Sequence, residues 1–172
     1  MISFSITQVV PKDVEQIREV QKAVWLATYP NKANRVTTEA IQAQFADKGK
    51  TSNWINKVKQ ALLSGESSGW VAKVDKKFVG YCFARRMDDK NRIMAMYILP
   101  LYQKQGIGKA LMERMLGWID KTKPTALEVA SYNTHAINFY KSFGFVEKGP
   151  IKNEEAALQT GIVIPEIEMV KE

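Results

Sequence analysis

Residues 92–111, RIMAMYILPLYQKQGIGKAL, decide how the rest of the chain is read. An apolar run ends at Leu99 and Pro100, and a short loop reaches Gln103. Gly106-Ile107-Gly108 then opens a segment in which Ile107, Leu111, Met115, Trp118 and Ile119 recur at helical spacing. The pattern predicts a strand, a glycine loop and a helix with one buried face, running to about Lys121 with Pro124 beyond its end. The first-turn N–H groups of such a helix have no intrahelical partner and point into the loop, where they attract an anion. Glycines without Cβ let a phosphate come close to the backbone, and Lys104 and Lys109 add positive charge. The same glycines also suit a tight connection that binds nothing. Two familiar phosphate loops do not fit. Gln103 stands where a Walker loop has its first glycine and Ala110 where it needs Ser or Thr, and Leu111 fills the place of the small third residue of a dinucleotide fingerprint.

Upstream, a turn cluster at 65–69 precedes WVAKV (70–74), a polar turn at 75–77 and FVGYCFARR (78–86), which together read as a hairpin. Earlier still, Ile2, Phe4 and Ile6 alternate with polar residues, the period of a half-buried strand. After Pro11, with Asp13 placed to cap, Val14, Ile17, Val20 and Val24 mark a helix ending before Tyr29-Pro30. A polar loop at 31–36 leads to Thr37, which can cap a second helix holding Ile41 and Phe45 and closed by Gly49. Ser52 can begin a third, with Ile55, Val58 and Leu62 on one face and Gly65 at its end. Downstream, 125–130 reads as a short strand. Asn133 opens a helix in which Ala136, Phe139, Tyr140 and Phe143 share a face and which Gly144 stops. Residues 149–160 look like polar loop, and IVIPEIEMVKE (162–172) like a last strand with Pro165 at a bulge or edge. Strands with helices inserted among them predict an α/β sandwich with a mixed sheet.

The chain has 172 residues, the size of one ordinary domain, and we expect a single domain over 1–172. With 45% hydrophobic and 25% charged residues it is globular rather than disordered. The N-terminus lacks a basic region followed by a long apolar run, and no stretch approaches the ~18 apolar residues of a membrane span, so a cytoplasmic location is expected. The single cysteine, Cys82, precludes an intrachain disulfide and a cysteine-based metal cluster, and its strand context places it in the core. A net charge of +7 points to an anionic partner. Because the lysines and arginines are scattered, nucleic acid is only one candidate. A phosphate-rich cofactor is another, and it fits the glycine loop.

Gln103-x-x-Gly106-x-Gly108 after a strand, followed by LEVASYNTHAINFYKSFGF (127–145) with Asn133, Ala136, Phe139-Tyr140 and Gly144-Phe145, resembles two spaced motifs of the GNAT superfamily of acyl-CoA-dependent N-acetyltransferases, in the family order. The resemblance covers about 70–145 closely and the helices before it in outline. It implies an α/β fold with a mixed, splayed sheet of about six to seven strands flanked by helices, in which the strands beginning at Arg92 and Thr125 diverge to admit a pantetheine arm. It implies acetyl-CoA as cosubstrate, with backbone groups of Met96, Tyr97 and Ile98 on the pantetheine and acetyl end. Gln103, Lys104, Gln105, Gly106, Ile107, Gly108 and Lys109 would hold the pyrophosphate. The physics agrees: a strand edge hydrogen-bonds the peptide-like pantetheine as an added strand would, and a helix N-terminus takes the anion. Met96 and Ile98 can be core at the same time, and Asn133 would orient cofactor or substrate or simply cap its helix.

Acetyl transfer to an amine needs a deprotonated nucleophile, a donor for the developing oxyanion and an acid for the departing thiolate. The resemblance assigns the acid to Tyr140, protonated at neutral pH with a reference pKa of about 10. It assigns the oxyanion donor to a backbone N–H near Tyr97 or Ile98. Glu128 interrupts the apolar run of 126–130 and looks like the glutamate that serves as base, usually through water, in ribosomal-protein N-terminal alanine acetyltransferases. Its alternative is a solvated strand residue. His135, off the family pattern, reads as a surface histidine. Trp25, Tyr29 and the 31–36 loop correspond in outline to the acceptor-side loop, and Glu154 and Glu155 either attract a cationic acceptor or lie in solvated loop. Protein N-termini, polyamines and small amines remain open as acceptors, with no metal and no membrane implied. Two rivals stand beside this reading: an acyl-CoA-binding sensor without turnover, and a nucleic-acid binder suggested by charge alone.

Overall fold

The computed structural model describes residues 2–151 and 162–172. In chain order it contains β1 (Ser5–Gln8), a 3-10 turn (Pro11–Asp13), α1 (Val14–Thr28), α2 (Thr38–Ala46), α3 (Lys48–Leu63), β2 (Ser67–Val74) and β3 (Lys77–Arg86). Then come β4 (Asn91–Ile98), a second 3-10 turn (Pro100–Tyr102), α4 (Ile107–Trp118), β5 (Thr125–Ala130), α5 (Thr134–Ser142), β6 (Val146–Ile151) and β7 (Glu166–Lys171). The seven strands form one sheet in the order β1-β2-β3-β4-β5-β7-β6, antiparallel throughout except for the β4–β5 pair. This is the mixed sheet flanked by helices that the sequence predicted.

Alternation along β2 and β3 explains the layers. Trp70, Ala72, Val74, Cys82 and Ala84 pack with Ile107, Leu111 and Met115 of α4 on one face. Val71, Tyr81 and Phe83 pack with Ile17, Val20 and Val24 of α1 on the other. A strand buried on both sides must read as a near-continuous apolar run, and FVGYCFA does. Fully burying each such aliphatic or aromatic side chain contributes roughly 1.5–3 kcal/mol. A smaller cluster of Val36, Ile41, Phe45 and Ile162, joined by Trp25 and Tyr29, secures α2 against the end of α1.

Several local expectations change. Thr37 caps α2 as predicted, accepting from the Ala40 N–H at 3.1 Å. Gly49 does not close that helix. It lies in the first turn of α3, which Asp47, not Ser52, caps by accepting from the Lys50 N–H at 2.9 Å. Asp13 spends its carboxylate on the Val10 N–H at 3.1 Å and leaves α1 without a side-chain cap. β6 falls in a segment whose VEKGPI sequence shows no alternation; it is an edge strand with an irregular register around Lys148, and edge positions require no apolar face. Pro165 lies just before β7, which runs inside the sheet between β5 and β6.

The feature that makes a site is the β4–β5 junction. These strands pair only at Asn91–Thr125, Arg92–Ala126 and Ile93–Leu127. The next residue of β4, Met94, has no partner on β3, where the register jumps from Phe83–Ala95 to Ala84–Ile93. Such a bulge bends its strand, so β4 leaves β5 where Met94 begins the turn. Buried Asn91 holds the closed end: its N–H donates to the Pro124 carbonyl at 2.8 Å, its Nδ2 to the Asp120 carbonyl at 2.8 Å, and its Oδ1 accepts from the Asp120 N–H at 3.0 Å.

Candidate active site

The divergence opens a cleft of about 620 Å³ walled by β4, β5, the start of α4, α5 and the end of α1. Of the sequence-predicted residues, Met96, Tyr97, Ile98, Gln103, Lys104, Gly106, Gly108, Lys109, Glu128, Asn133 and Tyr140 all line it. Ile107 contributes a fully buried side chain to the core, so only its backbone can serve a ligand. The side chain of Gln105 turns back to donate to the Leu101 carbonyl at 2.9 Å. Glu154 and Glu155 lie outside the described residues.

Backbone alternation sorts β4. The Leu99 N–H donates to the Val79 carbonyl at 2.9 Å, so with a two-residue period Tyr97 also turns its peptide groups to β3, opposite Tyr81. Met96 and Ile98 turn theirs to the gap. Gln103 Nε2 confirms the direction by donating to the Ile98 carbonyl at 3.0 Å. Tyr97 therefore enters the cleft through its side chain, and the gap-facing N–H groups belong to Met96 and Ile98.

The start of α4 has the donors an anion needs. Gly106, the N-cap, adopts a left-handed φ of 85°, offers no side-chain cap, and accepts the first helical bond from the Ala110 N–H at 3.0 Å. The N–H groups of Ile107, Gly108 and Lys109 precede that bond and have no intrahelical acceptor. Lys104 is also left-handed at 59°, a conformation that costs a non-glycine residue roughly 1–2 kcal/mol. Gly108 also meets a packing constraint. A Cβ there would sit 3.1 Å from Ile98 Cδ1 and 3.4 Å from Phe139 Cε2, so this glycine lets α4 pack against β4 and α5.

Asn133 caps α5 through Oδ1, which accepts from the Ala136 N–H at 3.1 Å. Two turns later Tyr140, buried against Phe139 and Phe145 at ring distances of 5.5 and 6.0 Å, presents its ring to the cleft. Burial, then the neighbouring Tyr97 and Cys82, push its hydroxyl well above the usual tyrosine range, so it stays protonated. Glu128 is half-buried in the β5 part of the lining, where Arg92 donates to its Oε1 in an ion pair. Exposed His135 stands at the rim.

The end of the cleft nearest α1 is aromatic. The Tyr29 and Tyr97 hydroxyls share a hydrogen bond at 3.2 Å, and the Tyr132 hydroxyl donates to the Tyr29 carbonyl at 3.1 Å. Burial, then the neighbouring Tyr97, pushes Tyr29 well above its ordinary value. Trp25 stacks edge-on to Tyr29 at 5.1 Å, with its buried indole N–H beside the Tyr97 hydroxyl but outside hydrogen-bond geometry. Arg92, Tyr132 and Glu166 were not picked out by sequence reasoning. Arg92 is a charge in a largely apolar strand, Tyr132 stands in the turn between β5 and α5, and Glu166 opens an alternating strand, so their neighbours in space follow from the fold and not from a local pattern.

The sequence profile of the acetyltransferase (GNAT) domain matches residues 26–161. The chain belongs to the GNAT acetyltransferase family. Acetyl-CoA is the cosubstrate of GNAT enzymes, and the unpaired N–H groups at α4, the cationic Lys104 and Lys109 and the gap-facing edge of β4 fit its pyrophosphate and amide-bearing arm. Among related GNAT proteins, peptidyl-lysine N-acetyltransferase YiaC of Escherichia coli is 34% identical over 107 residues, 62% of this chain and 68% of that protein. An N-alpha-acetyltransferase of Sulfurisphaera tokodaii is 30% identical over 101 residues, 50% of this chain and 60% of its own. The ribosomal protein bS18 alanine N-acetyltransferase of Escherichia coli is 32% identical over 73 residues, 41% of this chain and about half, 49%, of that enzyme. The PaiA N-acetyltransferase of Thermoplasma acidophilum, crystallised with coenzyme A, superposes with a TM-score of 0.76 at 20% identity over 99% of both chains, which is a likeness of fold. No helix among the described residues is long and apolar enough to cross a membrane.

Proposed function

We propose that the protein, acting in the cytoplasm as a single domain, transfers an acetyl group from acetyl-CoA to a primary amine by direct attack. The observation that carries this reading is the cleft lined by the start of α4 with its unpaired N–H groups, by β4, and by Tyr140 and Glu128. Acetyl-CoA supplies the activated thioester. Residues 103–109 hold its phosphates, and the peptide groups of Met96 and Ile98 align its arm, with one of their N–H groups donating to the carbonyl oxygen as negative charge gathers there. Glu128, fixed by Arg92, takes a proton from the amine through a water molecule. As the C–N bond forms and the C–S bond breaks, Tyr140 gives its proton to the departing sulfur. Asn133 caps α5 and so fixes the helix that carries Tyr140.

The acceptors named for the relatives, a peptidyl lysine and protein N-termini, make protein amines the first to try. The test is a screen of peptide N-termini, lysine peptides, polyamines and small amines with acetyl-CoA, following CoA release and the product mass. An acetylated amine is expected. Tight acetyl-CoA binding with no product from any class would leave a non-catalytic acyl-CoA sensor instead.

A further inference from the structure

The gap between β4 and β5 is deeper than an acetyl group needs. In the acetyltransferase reading the arm of acetyl-CoA enters at the start of α4, beside Ile98, and follows the gap-facing peptide groups of Ile98 and Met96 toward the point where the two strands close. That point is the Ile93–Leu127 pair. From Met96 to Ile93 the strand covers about 10 Å at roughly 3.3 Å per residue, part of which the bulge takes up. An acetyl methyl reaches only about 1.5 Å past its carbonyl carbon. Ile93 and Leu127 are 5% and 1% exposed, yet both border the cleft, so the open space runs down to the closing pair. Met94 and Val129 line the same stretch, and all four side chains are apolar. Three of them are fixed, since Ile93, Leu127 and Val129 belong to the core under α4. Met94 differs. It is the extra residue of the bulge, without a partner on β3, joins none of the buried clusters among the described residues, and keeps 54% of its surface exposed. An unbranched methionine so placed can shift and close over a guest, and apolar walls reward each methylene they cover.

We propose that the protein also transfers propionyl from propionyl-CoA, the added methylene lying against Met94 in the apolar end of the gap between β4 and β5. This rests on the acetyltransferase reading and extends its donors to a straight acyl group one carbon longer than acetyl. The bonds are those of acetyl transfer: the amine nitrogen joins the propionyl carbonyl carbon and the C–S bond breaks. Glu128 takes the amine proton through water, and Tyr140 gives one to the departing sulfur. Met94 acts on binding of the acyl group and moves no proton.

The test measures by calorimetry the binding of CoA, acetyl-CoA and propionyl-CoA to the wild type, Met94→Ser and Met94→Leu. In parallel, transfer from both thioesters to the amines of the acceptor screen is followed by product mass. The wild type should bind propionyl-CoA about fourfold more tightly than acetyl-CoA, the effect of one buried methylene, and should yield the propionylated amine. Met94→Ser should remove that gain. Affinity for free CoA and the melting temperature should stay close to wild type, because Met94 is half-exposed and free CoA has no acyl group to touch it. Met94→Leu keeps an apolar chain of similar size and should retain the gain. Propionyl-CoA binding no tighter than acetyl-CoA in the wild type, a gain that survives Met94→Ser, or transfer of acetyl but never of propionyl would overturn the proposal. If propionyl-CoA binds more tightly through Met94 and neither acyl group reaches any amine, the acyl-binding site stands and it is the transferase reading that falls.

Discussion

Gly108 separates two explanations of the glycine loop. If it exists for phosphate approach, a larger residue should harm only ligand binding; if it exists for packing, the fold should suffer first. Its virtual Cβ lies 3.1 Å from Ile98 Cδ1, the far end of a flexible side chain, and 3.4 Å from Phe139 Cε2. Gly108→Ala should therefore be absorbed by a few tenths of an ångström of movement at Ile98, with a loss below about 1 kcal/mol. Gly108→Val drives two further carbons into the same space, which both Ile98 and Phe139 occupy. Overpacking of that kind costs roughly 1–3 kcal/mol. At about 2–4 °C for each kcal/mol in a chain of this size, thermal unfolding without ligand should fall by several degrees. Ile98 and Phe139 also line the cleft, so calorimetric affinity for acetyl-CoA should drop with stability, by about tenfold. A Gly108→Val protein that melts like wild type yet binds acetyl-CoA at least tenfold more weakly would refute the packing argument and restore close phosphate approach as the reason for glycine.

Tyr140→Phe keeps the ring contacts with Phe139 and Phe145, so stability and acetyl-CoA affinity should hold while turnover falls by about tenfold to a thousandfold; a coupled loss of melting temperature and binding, with normal turnover per bound cofactor, would make Tyr140 structural. Glu128→Gln should cut turnover by about 10² with little change in acetyl-CoA affinity, a loss that shrinks as pH approaches the amine's own pKa; normal rates across the pH range would reduce Glu128 to the partner of Arg92. Burial raises Tyr29, Tyr81, Tyr97 and Tyr140 above the usual tyrosine value, so their neutral forms contribute stability that is fully present below about pH 10 and is lost as pH rises beyond it. Melting temperature should therefore fall steeply above about pH 10, and an ultraviolet titration should show these phenols ionising only as the protein unfolds. Reversible ionisation of all the tyrosines at about pH 10 in the folded protein would contradict their burial.

What the chain determines by itself is whatever repeats over a few residues. The helical spacing of Ile107, Leu111 and Met115, the apolar runs of β2 and β3, the Thr37 cap and the motif order from Gln103 to Phe145 were legible because each depends on neighbours one or two turns away. Boundaries failed where two local signals competed: Gly49 was a plausible stop, but Asp47 could cap a new helix and did. β6 was silent, since an edge strand needs no alternating face. What only the tertiary structure decided are relations between strands far apart in sequence. A bulge at Met94 parts β4 from β5, Arg92 finds Glu128 across their short parallel contact, and Gly108 meets Ile98 and Phe139 from a different element. β7 slips between β5 and β6 and brings Glu166 to the face that carries Glu128. Alternation reveals that a strand has two faces, but which residue on another strand shares a given face follows from pairing register. Register is set by the packing of the whole sheet.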